Sequence, residues 1–187
     1  MKRIISAISI AILASSALAD TPTESTTGPK LYVGASMGSL KLKEDDFNTY
    51  EPDFPYLMFL AGAHFNQYLD GEIRIGKGLI EDSTTAFGGA TIETELDYIA
   101  GAYLKLGAGE KLHPYIMAGY SKAELTLTAS NGVNSASVSE GESDVAYGLG
   151  LDIRLTDRAA FNIECASYYD KDDTSLVGCG IGLALAI

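Results

Sequence analysis

Charged side chains recur on one alternating parity inside otherwise apolar runs of this chain. In GEIRIGKGL they are Glu72 and Arg74; in ELDYIAGAYLKL, Asp97 and Lys105; in SKAEL, Lys122 and Glu124. In SDVAYGLGLDIRL they are Asp152 and Arg154, and in NIEC, Glu164, with the neutral Asn162 two residues before it. Such groups on one face of extended segments can line a path for ions, or can pair with one another as a buried polar network. The network reading expects Arg74 and Arg154 each to meet a carboxylate among Glu72, Asp97, Glu124, Asp152 and Glu164. Hydrolytic chemistry of the Ser-His-carboxylate kind finds little support. Only His64 and His113 exist, both beside short turns, and no G-x-S-x-G element occurs. The two cysteines have no nearby histidines, so no metal-ligand spacing arises. The segment DKDDT (170–174) lacks the Gly and the terminal Glu of an EF-hand loop. The chain is read as non-enzymatic, with no catalytic residue, metal or cofactor.

The elements that must position these charges alternate with period two, and no segment has helical periodicity. Eight strands are expected, at about 31–42, 56–66, 69–80, 95–107, 113–128, 143–155, 158–169 and 175–187. Long connections (43–55, 81–94, 129–142) alternate with short ones (66–70, 108–113, 156–159), and 170–174 is a shorter member of the long set. Consecutive antiparallel strands put every second connection at the same end, so long and short connections separate to opposite ends. The strands also separate into two faces. Val145, Tyr147, Leu149, Leu151, Ile153 and Leu155 share one parity, while Asp144, Ala146, Gly148, Gly150, Asp152 and Arg154 share the other. The chain closes on SLVGCGIGLALAI, where the second face is Gly178, Gly180, Gly182, Ala184 and Ala186.

A soluble eight-stranded barrel would bury the apolar face and expose the other. A water-facing exterior calls for Lys, Glu, Thr and Ser at most outward positions, and exposed Gly weakens strands. Gly and Ala with a few charges of both signs suit the cramped bore of eight strands instead. The apolar face then meets lipid. The expected fold is an all-β, eight-stranded, antiparallel up-and-down transmembrane β-barrel over 31–187. The small bore favours a structural polar plug over an ion pathway. Along 113–128 the parity is set by placing Lys122 and Glu124 inside, which turns Tyr115 and Met117 to lipid.

The first residues, MKRIISAISIAILASSALAD, have the basic start, short apolar run and small-residue end of a secretory signal peptide, with cleavage expected after Ala19. The apolar run is too short to span a bilayer as a helix. Residues 20–30 read as a short polar segment. The net charge of −12 becomes −14 once Lys2 and Arg3 are removed, which argues against any nucleic-acid partner. The four long-end connections hold thirteen acidic and two basic residues, a net of −11. They read as solvated acidic loops, or as a surface that divalent cations bridge to lipid phosphates.

The segments LYVGASMGSLKL, GAHFNQYLDGEIRIGKG and HPYIMAGY, with the closing Gly-alternating strand, resemble the small outer-membrane barrels of the OmpA-type and OmpX/Ail-like family. The likeness covers residues 30–187 as a pattern. It implies a bacterial outer-membrane location in the Gram-negative cell envelope, contacts with outer-membrane lipid and lipopolysaccharide, handling by the assembly machinery, and a monomer. The chain departs from the family in ending on Ile187 instead of an aromatic, and in building any aromatic girdle from 11 Tyr and 6 Phe without Trp. Three roles remain open: a structural or surface-interaction protein with a filled lumen, a narrow porin-like channel, and an adhesin or host-interaction factor acting through outer loops.

The final hairpin, centred on Asp172, pairs residues whose numbers sum to 344. Tyr169 then faces Ser175, Ser167 faces Val177, and Cys165 faces Cys179. Opposed residues lie within disulfide reach, so the two thiols either bond or pack side by side.

Overall fold

The structure is a computed structural model that describes residues 29–44, 52–85, 91–130, 134–171 and 174–187. The leader expected at 1–19, most of the segment at 20–30, and Asp172 at the centre of the last hairpin lie outside the described residues. Period-two alternation produces nine strands: β1 (Lys30–Glu44), β2 (Asp53–His64), β3 (Leu69–Gly78), β4 (Asp82–Thr85), β5 (Thr91–Gly107), β6 (Leu112–Ser130), β7 (Ser135–Arg154), β8 (Ala159–Lys171) and β9 (Thr174–Ala186). All pairings are antiparallel, in the order β3-β2-β1-β9-β8-β7-β6-β5. A β3–β5 pairing from Leu69↔Leu106 to Gly76↔Ile99 closes these eight strands into a barrel. β4 lies beyond the end of β3 and, among the described residues, pairs only with β5.

The glycine-rich face lines the bore because tyrosines lie flat against it. A Cβ at Gly62 would strike the Tyr32 ring, one at Gly150 the Tyr115 ring, and one at Gly180 the Tyr56 hydroxyl. The other face is solvent-exposed and apolar: Ile73, Ile75, Ile116, Leu149, Leu183 and Leu185 are each more than half exposed. A continuous apolar exterior of this kind is solvated by acyl chains, not by water. On β6 it runs from Leu112 to Tyr120, about 20 Å of height at the usual strand rise and tilt.

Four features depart from the pattern read in the sequence. Along β6, Tyr115 (4% exposed) and Met117 (3%) point inward, so the expected parity is reversed and Lys122 and Glu124 point outward. Both faces of HPYIMAGY are apolar there, and the Tyr115 ring over Gly150 decides the direction. In β5 a register shift between Leu96 and Tyr98 leaves Asp97 as an extra residue. Such a bulge switches parity, so Leu96 is fully buried where alternation placed it toward lipid. The third is the pair of connections expected at 81–94 and 129–142, most of each of which is strand, β4 and the start of β5 in the first. β6 and β7 stay paired from Leu112↔Ile153 out to Ser130↔Ser135. Finally, a shift between Ser167 and Tyr169 pairs Tyr169 with Leu176 instead of Ser175, while Ser167↔Val177 and Cys165↔Cys179 stand directly opposite.

Candidate functional site: a bore-crossing ion-pair ring and a protruding sheet

Inside the barrel, five charged residues and two neutral ones close a ring of hydrogen bonds. Arg74 on β3 donates from Nε to Glu72 Oε2 at 2.7 Å, and from its two terminal nitrogens to both oxygens of Glu164 at 2.5 and 2.9 Å. Strands β3 and β8 are four places apart either way round the eight-membered ring, so the Arg74–Glu164 pair spans the whole bore. Glu164 Oε2 also accepts from the Tyr115 hydroxyl at 2.7 Å, and that hydroxyl accepts from Asn162 Nδ2 at 2.6 Å. Asn162 donates again to Asp152 at 2.6 Å, and Lys105 joins Asp152 to Glu72 with two bonds of 3.0 Å. Tyr32 adds a further donor to Glu72 at 2.6 Å. Two cations thus face three carboxylates, a net of −1. Each guanidinium or ammonium also lies over a ring, Arg74 over Tyr103 at 4.8 Å and Lys105 over Tyr115 at 3.9 Å.

Of the charges singled out in the sequence, the structure brings together Glu72, Arg74, Lys105, Asp152 and Glu164. It places the other four elsewhere. Asp97, displaced by the bulge, accepts from Thr126 Oγ1 at 2.6 Å. Lys122 and Glu124 approach each other at 3.9 Å on the outer surface. Arg154 sits exposed at the short-turn mouth of the bore and makes no ion pair among the described residues, contrary to the carboxylate partner expected for it. Sequence reasoning missed Tyr115, which links Glu164 to Asn162, and Tyr32, which donates to Glu72. Their signal was present, since each lies against a lumen glycine of a neighbouring strand. His64 and His113 serve the short-turn end: His64 stacks on Tyr32 and contacts Asp70 at 2.7 Å, and His113 bonds the Gly109 carbonyl at 2.9 Å.

The ring divides the bore. On the short-turn side lies a cavity of about 670 Å³, reaching Lys30, His64, Asp70 and Arg154. On the other side Tyr56, Met58, Ile99, Tyr103, Met117 and Tyr168 pack together, and Leu40, Phe54, Leu96 and Leu176 above them are at most 1% exposed. The Ser121 hydroxyl donates to the Tyr168 carbonyl within this layer. These side chains form an apolar column beyond the ion-pair ring.

Beyond the apolar exterior, β4, β5, β6 and β7 continue as a four-stranded sheet. Nine residues of β6 past Ser121 remain paired with β7, about 30 Å of ribbon at about 3.4 Å per residue. Hydroxyl pairs fasten its outward face: Thr126 to Ser139 at 2.7 Å and Thr128 to Ser137 at 2.9 Å. β8 pairs with β7 only from Tyr147 onward, so residues 135–146 have strand β6 on one side and no paired strand on the other among the described residues.

A family model described as outer membrane protein beta-barrel domain matches residues 5–185. No curated protein matches. Among solved structures, Ail, the attachment invasion locus protein of Yersinia pestis in complex with the heparin analogue sucrose octasulfate, superposes with a TM-score of 0.63 at 13% identity, covering 86% of this chain and 99% of Ail. Neisserial surface protein A superposes at 0.61 with 14% identity, over 84% of this chain and 97% of its own. The N-terminal β-barrel domain of Pseudomonas aeruginosa OprF gives 0.55 at 11% identity, over 85% and 99%. At these identities the likeness shows the fold alone.

Proposed function

Because this chain belongs to the outer membrane protein β-barrel domain family and resides in the bacterial outer membrane, we propose that it is a non-enzymatic surface-recognition protein whose lumen is closed to solutes. The observation that carries this reading is the protruding sheet, whose β7 edge over 135–146 has no paired strand among the described residues. An unpaired edge presents backbone N–H and C=O groups that an extended segment can join as a further strand. The recognising element is therefore strand, not the loops that the sequence suggested for an adhesin. Glu93, Glu95, Asp97, Glu124, Glu140 and Glu142 lie on this sheet against Lys122 and the Lys77 that pairs with Glu95 at 3.5 Å, an acidic balance that favours a partner segment with cations at alternate positions. The complex of Yersinia Ail holds a polyanion; the acidity of the present sheet calls for the opposite charge. Two copies in one membrane point their β7 strands the same way, so they cannot add to each other as antiparallel strands.

A nine-residue peptide alternating Lys and Val should bind the barrel in lipid nanodiscs and slow amide exchange along 135–143. A Glu/Val peptide should do neither. Replacing 126–139 by Asn-Gly, which joins the opposed pair Leu125↔Glu140 by a two-residue turn, should abolish binding while the barrel still folds. Equal binding of both peptides, or binding that survives the shortening, would count against edge recognition.

The packed column above the ion-pair ring supports the closed lumen. Planar bilayers holding the refolded barrel should stay at baseline current. Steady single-channel openings would favour the narrow porin-like channel.

A further inference from the structure

Cys165 and Cys179 are joined by a disulfide between β8 and β9, with Cα atoms 4.1 Å apart. Both stand on the outward parity, Cys179 exposed and Cys165 half-buried. Ile163 and Ile181 are the next outward-facing pair toward the chain terminus, and Val177 is the next outward residue on β9 the other way. Leu149 lies beside Cys165 on β7 and is 64% exposed. In the membrane the two sulfurs therefore touch acyl chains within the apolar band.

Thiol–disulfide exchange begins from a thiolate. A charge on a lipid-facing side chain in hydrocarbon is costly enough to reduce its population by about 100-fold or more relative to water. Water-soluble oxidants and reductants do not enter that band either. The lipid that covers the bridge thus blocks both its formation and its cleavage.

We propose that the bridge closes on the unassembled chain in the aqueous periplasm, before insertion, and that lipid seals it afterwards. One cysteine thiolate attacks a sulfur of a water-soluble disulfide oxidant, forming a mixed disulfide and expelling one thiol. The second thiolate attacks the protein sulfur of that mixed disulfide and expels the other thiol. Two protein thiols lose two electrons and two protons, and the oxidant disulfide leaves as two thiols. The final hairpin then reaches the membrane with its register set. That matters here because a slip of one residue would turn Gly178, Gly180 and Gly182 toward lipid and the apolar face into the bore.

The test compares the reduced chain refolded into phosphatidylcholine vesicles with the same chain in urea, both given oxidised glutathione. Thiols should disappear at least about 100-fold more slowly in vesicles, following the cost of charge in hydrocarbon. The inserted, oxidised barrel should resist a charged phosphine reductant by a similar factor. A second pair, Thr128→Cys with Ser137→Cys in a Cys165→Ser, Cys179→Ser background, separates lipid from folding as the shield. Those side-chain oxygens lie 2.9 Å apart on the protruding ribbon, so this pair should react in vesicles about as fast as in urea. Native-pair oxidation or reduction at the urea rate would overturn the proposal, and so would equal slowing of the ribbon pair. If the reduced chain fails to insert, the phosphine arm on the oxidised barrel decides alone.

Discussion

Arg74→Ala should destabilise the lipid-embedded barrel by about 3–5 kcal/mol, the cost of leaving buried carboxylates without their cation. Arg74 is the single partner that ties Glu72 to Glu164 across the bore, and its side chain is only 5% exposed. Lys105 remains beside Glu72, but Glu164 would keep only the Tyr115 hydroxyl. The loss would be read from urea midpoints of the barrel in vesicles. Arg154→Ala is the matched control: an exposed arginine with no ion pair among the described residues should shift stability by less than about 0.5 kcal/mol. Removing the charges together, as Glu72→Gln, Arg74→Met and Glu164→Gln, should recover most of the loss, since replacing a buried ion triad by neutral groups is often close to neutral. An unchanged midpoint for Arg74→Ala would mean that the ring does not hold the bore together. Failure of the triple variant to recover would assign the loss to the shape of the guanidinium instead of its charge.

Ile116→Arg should cost about 2–4 kcal/mol, and Leu112→Arg on the same strand about 0–1. Ile116 lies midway between Leu112 and Tyr120 on the outward parity of β6, and it is 62% exposed. An arginine there sits near the bilayer midplane, whereas one at Leu112 can extend its guanidinium into the headgroups. The pair of substitutions also tests the direction of β6. If Tyr115 and Met117 faced lipid, Ile116 would lie in the bore, and the depth gradient between the two positions would vanish. Equal urea midpoints for the two variants would therefore overturn the inward placement of Tyr115, and with it the closure of the ion-pair ring.

What the sequence determined by itself was the barrel and its two faces. Alternation over the strands, glycines on one parity and branched apolar residues on the other leave one arrangement for a chain whose apolar face is too large to hide. The separation of short connections from longer outer segments followed from antiparallel succession. Counting outward from Asp172 placed Cys165 opposite Cys179, but the pairs near the tip stand one residue off that count, and the bulge between Ser167 and Tyr169 brings the cysteines into opposition. Three things needed the tertiary structure. The parity of β6 did, because HPYIMAGY is apolar on both faces and only the fit of Tyr115 over Gly150 chooses between them. The outer extent of β6 and β7 did, because a ribbon of Ser, Thr and Gly bathed in water on both faces has no hydrophobic alternation to mark it as strand. The membership of the charge ring did as well, since Arg74 and Glu164 stand 90 residues apart on opposite walls. Spacing along a strand places a charge in the bore, but its height there depends on the stagger of all eight strands. A bulge such as the one at Asp97 removes a residue from that register through a local backbone choice that no periodicity records.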